Sequence, residues 1–159
     1  MHRFWLWLHI LSAIIAFGPT FTFPILASLM QKSPQHSAFG MRFVETVTLR
    51  LLYPFAIVLL PIAGIGLIVT AHIDFFGTTW LLVSTGIYIV AVAYSVALQT
   101  PTGTKLLKLL ESMPPGPPPE GSAGPPPEVA ALGKRIQIGG MFLTLLFLVI
   151  FTLMIWQPG

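Results

Sequence analysis

One imidazole lies in the middle of an oily run. Residues 4–17 read FWLWLHILSAIIAF, and His9 is the single titratable group among them. A second imidazole, His72, closes another apolar run, and Arg50 opens that same run just ahead of Tyr53-Pro54. Ionisable groups inside a membrane segment are functional hypotheses by default. Two imidazoles at similar depth are suited to clamp a haem iron or to bind a transition metal. A neutral imidazole can instead hydrogen-bond to Ser84 or Tyr88 on a neighbouring segment, or meet a quinone or a lipid headgroup. Arg50 either snorkels to headgroups or turns inward to hold an anionic group such as a propionate or a phosphate. His9, His72 and Arg50 are therefore the candidate cofactor-binding residues. His2 and His36 fall in hydrated ends and carry no assigned role. There is no cysteine and no His-x-x-x-His or other compact ligand spacing, so a dedicated metal site is not expected. No second buried carboxylate and no nucleotide-binding glycine loop occurs; "GIG" at 64–66 reads as a packing site.

The elements that position these groups follow from composition. Of 159 residues, 55% are hydrophobic and 8% are charged. A soluble domain carries about 25% charged residues, so much of this surface must face lipid. A spanning helix needs about 20 apolar residues, and four segments qualify, at about 4–30, 47–71, 79–99 and 136–156. These runs are too long and unbroken for strands. The expected fold is all-α, a four-helix transmembrane bundle in a single domain. The first run is too long for the apolar core of a signal peptide and is expected to stay in the mature chain. Pro19, Pro24, Pro54 and Pro61 predict kinks in the first two helices.

Helical spacing then groups the polar and small residues. His9, Ser12, Ala13, Ala16 and Thr20 share one stripe of the first helix. Arg50, Pro54, Ile57, Pro61, Gly64, Ile68 and His72 share one of the second. Ser84, Tyr88, Ala91 and Ser95 line the third, and Gln137, Gly140 and Thr144 the fourth. Such stripes meet inside a bundle, because small residues permit close approach and hydroxyls bond across it. Ser12, Thr20, Ser84 and Tyr88 are accordingly expected to line a pocket around His9.

Lys32, Arg42 and Arg50 flank one connection, and Lys105, Lys108, Lys134 and Arg135 another, whereas the opposite side has only Arg3. Basic residues in short loops stay on the cytoplasmic side. The expectation is a multi-pass protein of the inner (plasma) membrane with both termini outside the cytoplasm. The second cytoplasmic loop, within 104–134, has two parts. "TKLLKLLES" (104–112) is amphipathic and is expected at the inner interface with its leucines among acyl chains. "MPPGPPPEGSAGPPPE" (113–128) can form neither helix nor sheet and is expected to be an extended spacer or a docking segment for a proline-binding partner. The net charge of +3 sits in loops next to apolar runs. It points to anionic headgroups, with no aromatic-interleaved basic stripe for nucleic acid. The expected partners are the bilayer and either another membrane protein or a second copy of this chain.

The arrangement resembles uncharacterised small bacterial integral membrane proteins with four spans. It is more distantly similar to the membrane domain of copper-resistance protein D and to the J-type protoporphyrinogen oxidase, which binds haem. The similarity rests on "WLHILSAIIAFGPTFTFPIL" (7–26) and "MRFVETVTLRLLYPFAIVLLPIAGIGLI" (41–68), about the first half of the chain. Carried over, the oxidase pattern implies that His9 is a haem ligand. Leu6 stands where that pattern commonly has a cation, the third span has no His, Lys or Arg between Trp80 and Gln99, and no Met or Cys cluster supports copper transport. The residues thus lead first to an accessory or structural membrane protein, not an enzyme, whose buried polar face binds a small cofactor or lipid. A haem-dependent redox enzyme using His9, and a small transporter, are the alternatives.

Overall fold

A backbone crossing hydrocarbon finds no water to satisfy its N–H and C=O groups, so it must satisfy them within the segment. Apolar runs of this length consequently become helices. The computed structural model describes residues 1–23, 25–26, 37–113 and 125–157, which contain helices and turns but no strand. Four helices are long and apolar enough to span a membrane: α1 (His2–Phe21), α2 (Ser37–Ala71), α3 (Thr79–Ser112) and α4 (Pro127–Trp156). The expected four-helix transmembrane bundle is the observed fold. The part of the first segment at 27–30 and most of the proline-rich stretch, 114–124, lie outside the described residues.

Consecutive helices run antiparallel. Both termini and the 72–78 turn lie at one end of the bundle, termed the terminal end; the connections carrying the basic residues lie at the other, the basic end. His72 caps α2 in the left-handed conformation, at φ 54°. Asp74 then organises the turn, its carboxylate accepting from the Phe76 N–H at 3.2 Å and its carbonyl from Thr78 Oγ1 at 2.6 Å.

The four helices meet around small residues and aromatic rings. Ala16 and Phe17 of α1, Ala56 and Leu60 of α2, Ala91 of α3, and Leu143, Phe147 and Ile150 of α4 form one buried cluster. The Phe17 and Phe147 rings lie 4.1 Å apart. Outward positions are large and apolar: Ile14, Ile65, Val69, Ile89 and Met141 are each at least 60% exposed, as a lipid-facing surface requires.

Prolines shape the helices in a consistent way. α1 tightens into a 3-10 turn over Gly18–Phe21, with Pro19 inside it. α2 contains two π turns, Thr48–Leu52 and Pro54–Leu59, and is kinked. α3 contains a third, Ser95–Gln99. Each π turn is closed by the N–H of the residue immediately before a proline: Tyr53 before Pro54, Leu60 before Pro61 and Thr100 before Pro101. A proline ring clashes with the carbonyl four residues back, and widening the turn relieves that clash.

At the basic end α2, α3 and α4 run past the apolar segments. About 20 residues cover the hydrocarbon, which from Thr79 reaches residue 98 and from Trp156 reaches residue 137. The helices run on past that length as extensions at 37–49, 100–112 and 127–135. They have their own core of Met41, Leu106, Leu107 and Leu132. Arg42 pairs with Glu111 at 2.5 Å, Lys105 with Glu128 at 2.9 Å, and Thr104 Oγ1 donates to Glu45 at 2.6 Å. This corrects the expectation for 104–112. Its leucines pack on neighbouring helices instead of acyl chains, because α3 continues unbroken through Pro101 and carries Leu106 and Leu107 onto Met41 and Leu132. The amphipathic pattern was real; its partner was protein.

Candidate functional site

His9 lies one turn inside Trp5 on the face of α1 turned to α2. Gly64 makes the approach possible. A Cβ at position 64 would lie 3.6 Å from His9 Cε1 and 3.7 Å from Nδ1, so the imidazole edge rests on bare helix backbone. One turn toward the chain start, the Trp5 indole occupies the space a Cβ on Gly66 would need. The "GIG" segment is thus a packing site, as its sequence implies, and what it packs is the ring pair Trp5 and His9. The His9 ring lies beside the Leu60 backbone. Its Nδ1 is sealed from solvent and has no hydrogen-bond partner. His9 also borders an apolar groove of about 370 Å³ between α1 and α4, walled by Ile10, Ala13, Ile14, Phe17, Phe21, Phe151 and Met154 and open to the lipid side.

The polar stripe of α3 meets α2 at the proline turns. In the π register Leu60 N–H reaches the Phe55 carbonyl, so the next carbonyl, that of Ala56, should receive the N–H of residue 61. Pro61 has none. The Tyr88 hydroxyl of α3 donates to the Ala56 carbonyl instead. One helical turn nearer the terminal end, Ser84 is 2% exposed and its Oγ has no partner. Since Tyr88 is level with Ala56 and the two helices are antiparallel, Ser84 is level with Leu60 and hence with His9. Nearer the basic end, Tyr53 of α2 bonds Thr100 and lies 3.3 Å from Ser95 Oγ, and Gln99 Nε2 donates to the Ile136 carbonyl of α4 at 2.8 Å. Gly139 leaves the room that Gln99 and Tyr94 occupy.

The remaining sequence candidates divide. Ser12 is fully buried and satisfied locally, donating to the Leu8 carbonyl at 2.6 Å. Thr20 donates to the Phe17 carbonyl at 2.5 Å. His72 is exposed at the end of α2, eight residues beyond Gly64, or about 12 Å along the axis. Arg50 is exposed in the first π turn, fourteen residues the other way from Gly64, or about 21 Å. The structure brings His9 and Ser84 to one level and leaves His72 and Arg50 at opposite ends. Among the described residues no three His, Asp or Glu side chains converge. What sequence reasoning missed was Gly64 as the counterpart of His9 and the basic-end extension. The first had a signal, since Gly64 and His9 both sit on inward stripes.

The model of the family described as "Predicted integral membrane protein (DUF2269)" matches residues 4–158. The chain belongs to that family. No curated protein and no solved structure matches it. For a DUF2269 member, the haem that the oxidase resemblance implies can be tested on geometry. The Nδ1 edge of His9 has room for only a methyl group against Gly64, no second imidazole among the described residues stands at its level, and the Arg50 guanidinium is too distant to meet a propionate of the same group. The residues do not fit a haem.

Proposed function

We propose that the protein is an accessory, non-enzymatic multi-pass membrane protein that holds one small amphiphile, a lipid or a lipid-soluble cofactor, at the level of His9 and Ser84. The observation that carries this reading is His9, which borders a groove open to the lipid side and whose buried Nδ1 has no partner; Ser84 Oγ, also buried and unpartnered, stands at the same level outside the groove's lining. Such atoms in hydrocarbon cost about 1–3 kcal/mol each. Their cost is offset when α1 moves off Gly64 and a ligand's polar group reaches them while its apolar part fills the groove. The aromatic and aliphatic walls supply binding area, and the imidazole supplies orientation, serving as donor or acceptor.

The test is native mass spectrometry of the full chain purified in mild detergent, followed by organic extraction. The expected result is a co-purifying amphiphile that is lost in His9→Leu and reduced in Ser84→Ala, with helicity unchanged. An unaltered complement in His9→Leu, together with higher stability of that variant, would mean that leucine merely improves the core, and the reading would fall.

The asymmetry of Lys and Arg supports an orientation in the inner membrane with both termini outside the cytoplasm. Reporter fusions after residue 157 should be active outside, and fusions between α3 and α4 inside; the reverse pattern would invert the assignment.

A further inference from the structure

The cations of the basic end fall into two sets. Arg42 and Lys105 are neutralised by Glu111 and Glu128. Arg50, Lys108, Lys134 and Arg135 are exposed, and none has an acidic partner among the described residues. Their heights can be read from the interhelical hydrogen bonds. Gln99 bonds the Ile136 carbonyl, which puts residues 134 and 135 one and two residues beyond Gln99's level, or about 2–3 Å. Tyr53 bonds Thr100 and nears Ser95, which puts Arg50 three residues beyond that same level, or about 5 Å. Twenty residues counted from Thr79 and from Trp156 end at 98 and 137. Three of the free cations, Arg50, Lys134 and Arg135, therefore stand just past the hydrocarbon edge, where phosphodiester groups lie; Lys108, nine residues beyond Gln99 or about 14 Å farther out, belongs with the paired cations to the extension beyond.

We infer that Arg50, Lys134 and Arg135 form a headgroup-level belt that binds anionic phospholipid. Charge complementarity selects the occupant. A zwitterionic headgroup brings its own cation to the same plane, whereas an anionic one leaves its phosphate to the protein. Arg can clamp phosphate with two parallel donors and Lys adds a point charge. Among the described residues, the acidic groups at this end are Glu111 and Glu128, neutralised by Arg42 and Lys105, and Glu45, which accepts from Thr104.

The test uses the full chain in vesicles with spin-labelled phosphatidylglycerol or spin-labelled phosphatidylcholine, comparing their relative association. The glycerol lipid should associate severalfold more strongly. Each charge removed should cut that preference about fivefold at most, the effect of one basic residue near an anionic surface. The triple variant Arg50→Gln, Lys134→Gln, Arg135→Gln should show none. Lys105→Gln, whose cation is already paired, should retain it. If the triple variant does not insert, the three single variants must each lower the preference. Inorganic phosphate added at constant ionic strength should leave the preference intact. Equal association of both lipids, a preference that survives the triple substitution, or its loss to free phosphate would each overturn the inference.

Discussion

The contact between Tyr88 and the Ala56 carbonyl makes a prediction that can be worked through. Pro61 removes the N–H that would serve this carbonyl in the π register, and the Tyr88 hydroxyl takes its place. Tyr88→Phe keeps the ring and deletes only the donor. An interhelical hydrogen bond in a membrane protein averages about 0.6 kcal/mol and reaches about 1.7, and leaving a buried acceptor unpaired costs about 1–3 kcal/mol. Because this carbonyl has no backbone alternative, the cost of Tyr88→Phe should lie near the top of the membrane range, about 1.5 kcal/mol. Pro61→Ala restores a backbone donor, so Tyr88→Phe made on that background should cost only a few tenths. The double-mutant coupling is then about 1 kcal/mol, well above the additivity error of about 0.3–0.5. The assay is unfolding in mixed micelles by titration with a denaturing detergent, followed by helical circular dichroism. Equal cost of Tyr88→Phe in both backgrounds would refute the claim that the hydroxyl replaces the missing N–H.

The glycines of α2 should behave oppositely. Gly66→Ala must displace the Trp5 indole, which already fills the Cβ position, and should destabilise by about 1–3 kcal/mol, with a shift in tryptophan emission; Gly64→Ala meets His9 only at ordinary contact distance and should be neutral or stabilising by up to about 1 kcal/mol. Leu107→Ala removes a buried side chain from the extension core and should cost about 2–5 kcal/mol, seen as faster proteolysis at 37–47 while the transmembrane helices stay protected. An interfacial helix with its leucines in lipid would show no such sensitivity.

Much of the fold was legible because one solvent dictates it. The apolar runs at 47–71, 79–99 and 136–156 fall within α2, α3 and α4, the helices long and apolar enough to span a membrane, since a span needs about 20 apolar residues. Pro54 and Pro61 correctly located the distortion of α2, because proline acts locally. The fate of 104–112 was not legible. An amphipathic pattern says that one face wants an apolar partner, and lipid and protein satisfy that demand equally well; only Met41 and Leu132, distant in sequence, decide between them. His9 was legible as an anomaly, but not its counterpart, since a glycine contributes no chemistry of its own and matters only by what it allows to approach. Arg50 and His72 shared a stripe with Gly64 by periodicity, yet a stripe is as long as its helix, and residues at its two ends cannot serve one ligand.

The placement of His9 also follows from how unevenly the bundle is fastened. α2, α3 and α4 are tied twice, once around Leu60, Ala91 and Phe147, and again by the extension core and its two ion pairs. α1 shares only the first tie; its described span ends at Phe21 and touches α4 through Phe17. Toward the terminal end α1 rests on the two glycines of α2, and its other flank borders the groove. The ligand proposed above would therefore meet α1 on the flank away from α2, on a helix that, among the described residues, takes no part in the extension core. A polar residue with an unpartnered buried atom is costly for stability, and a ligand of the kind proposed is what would offset that cost at His9.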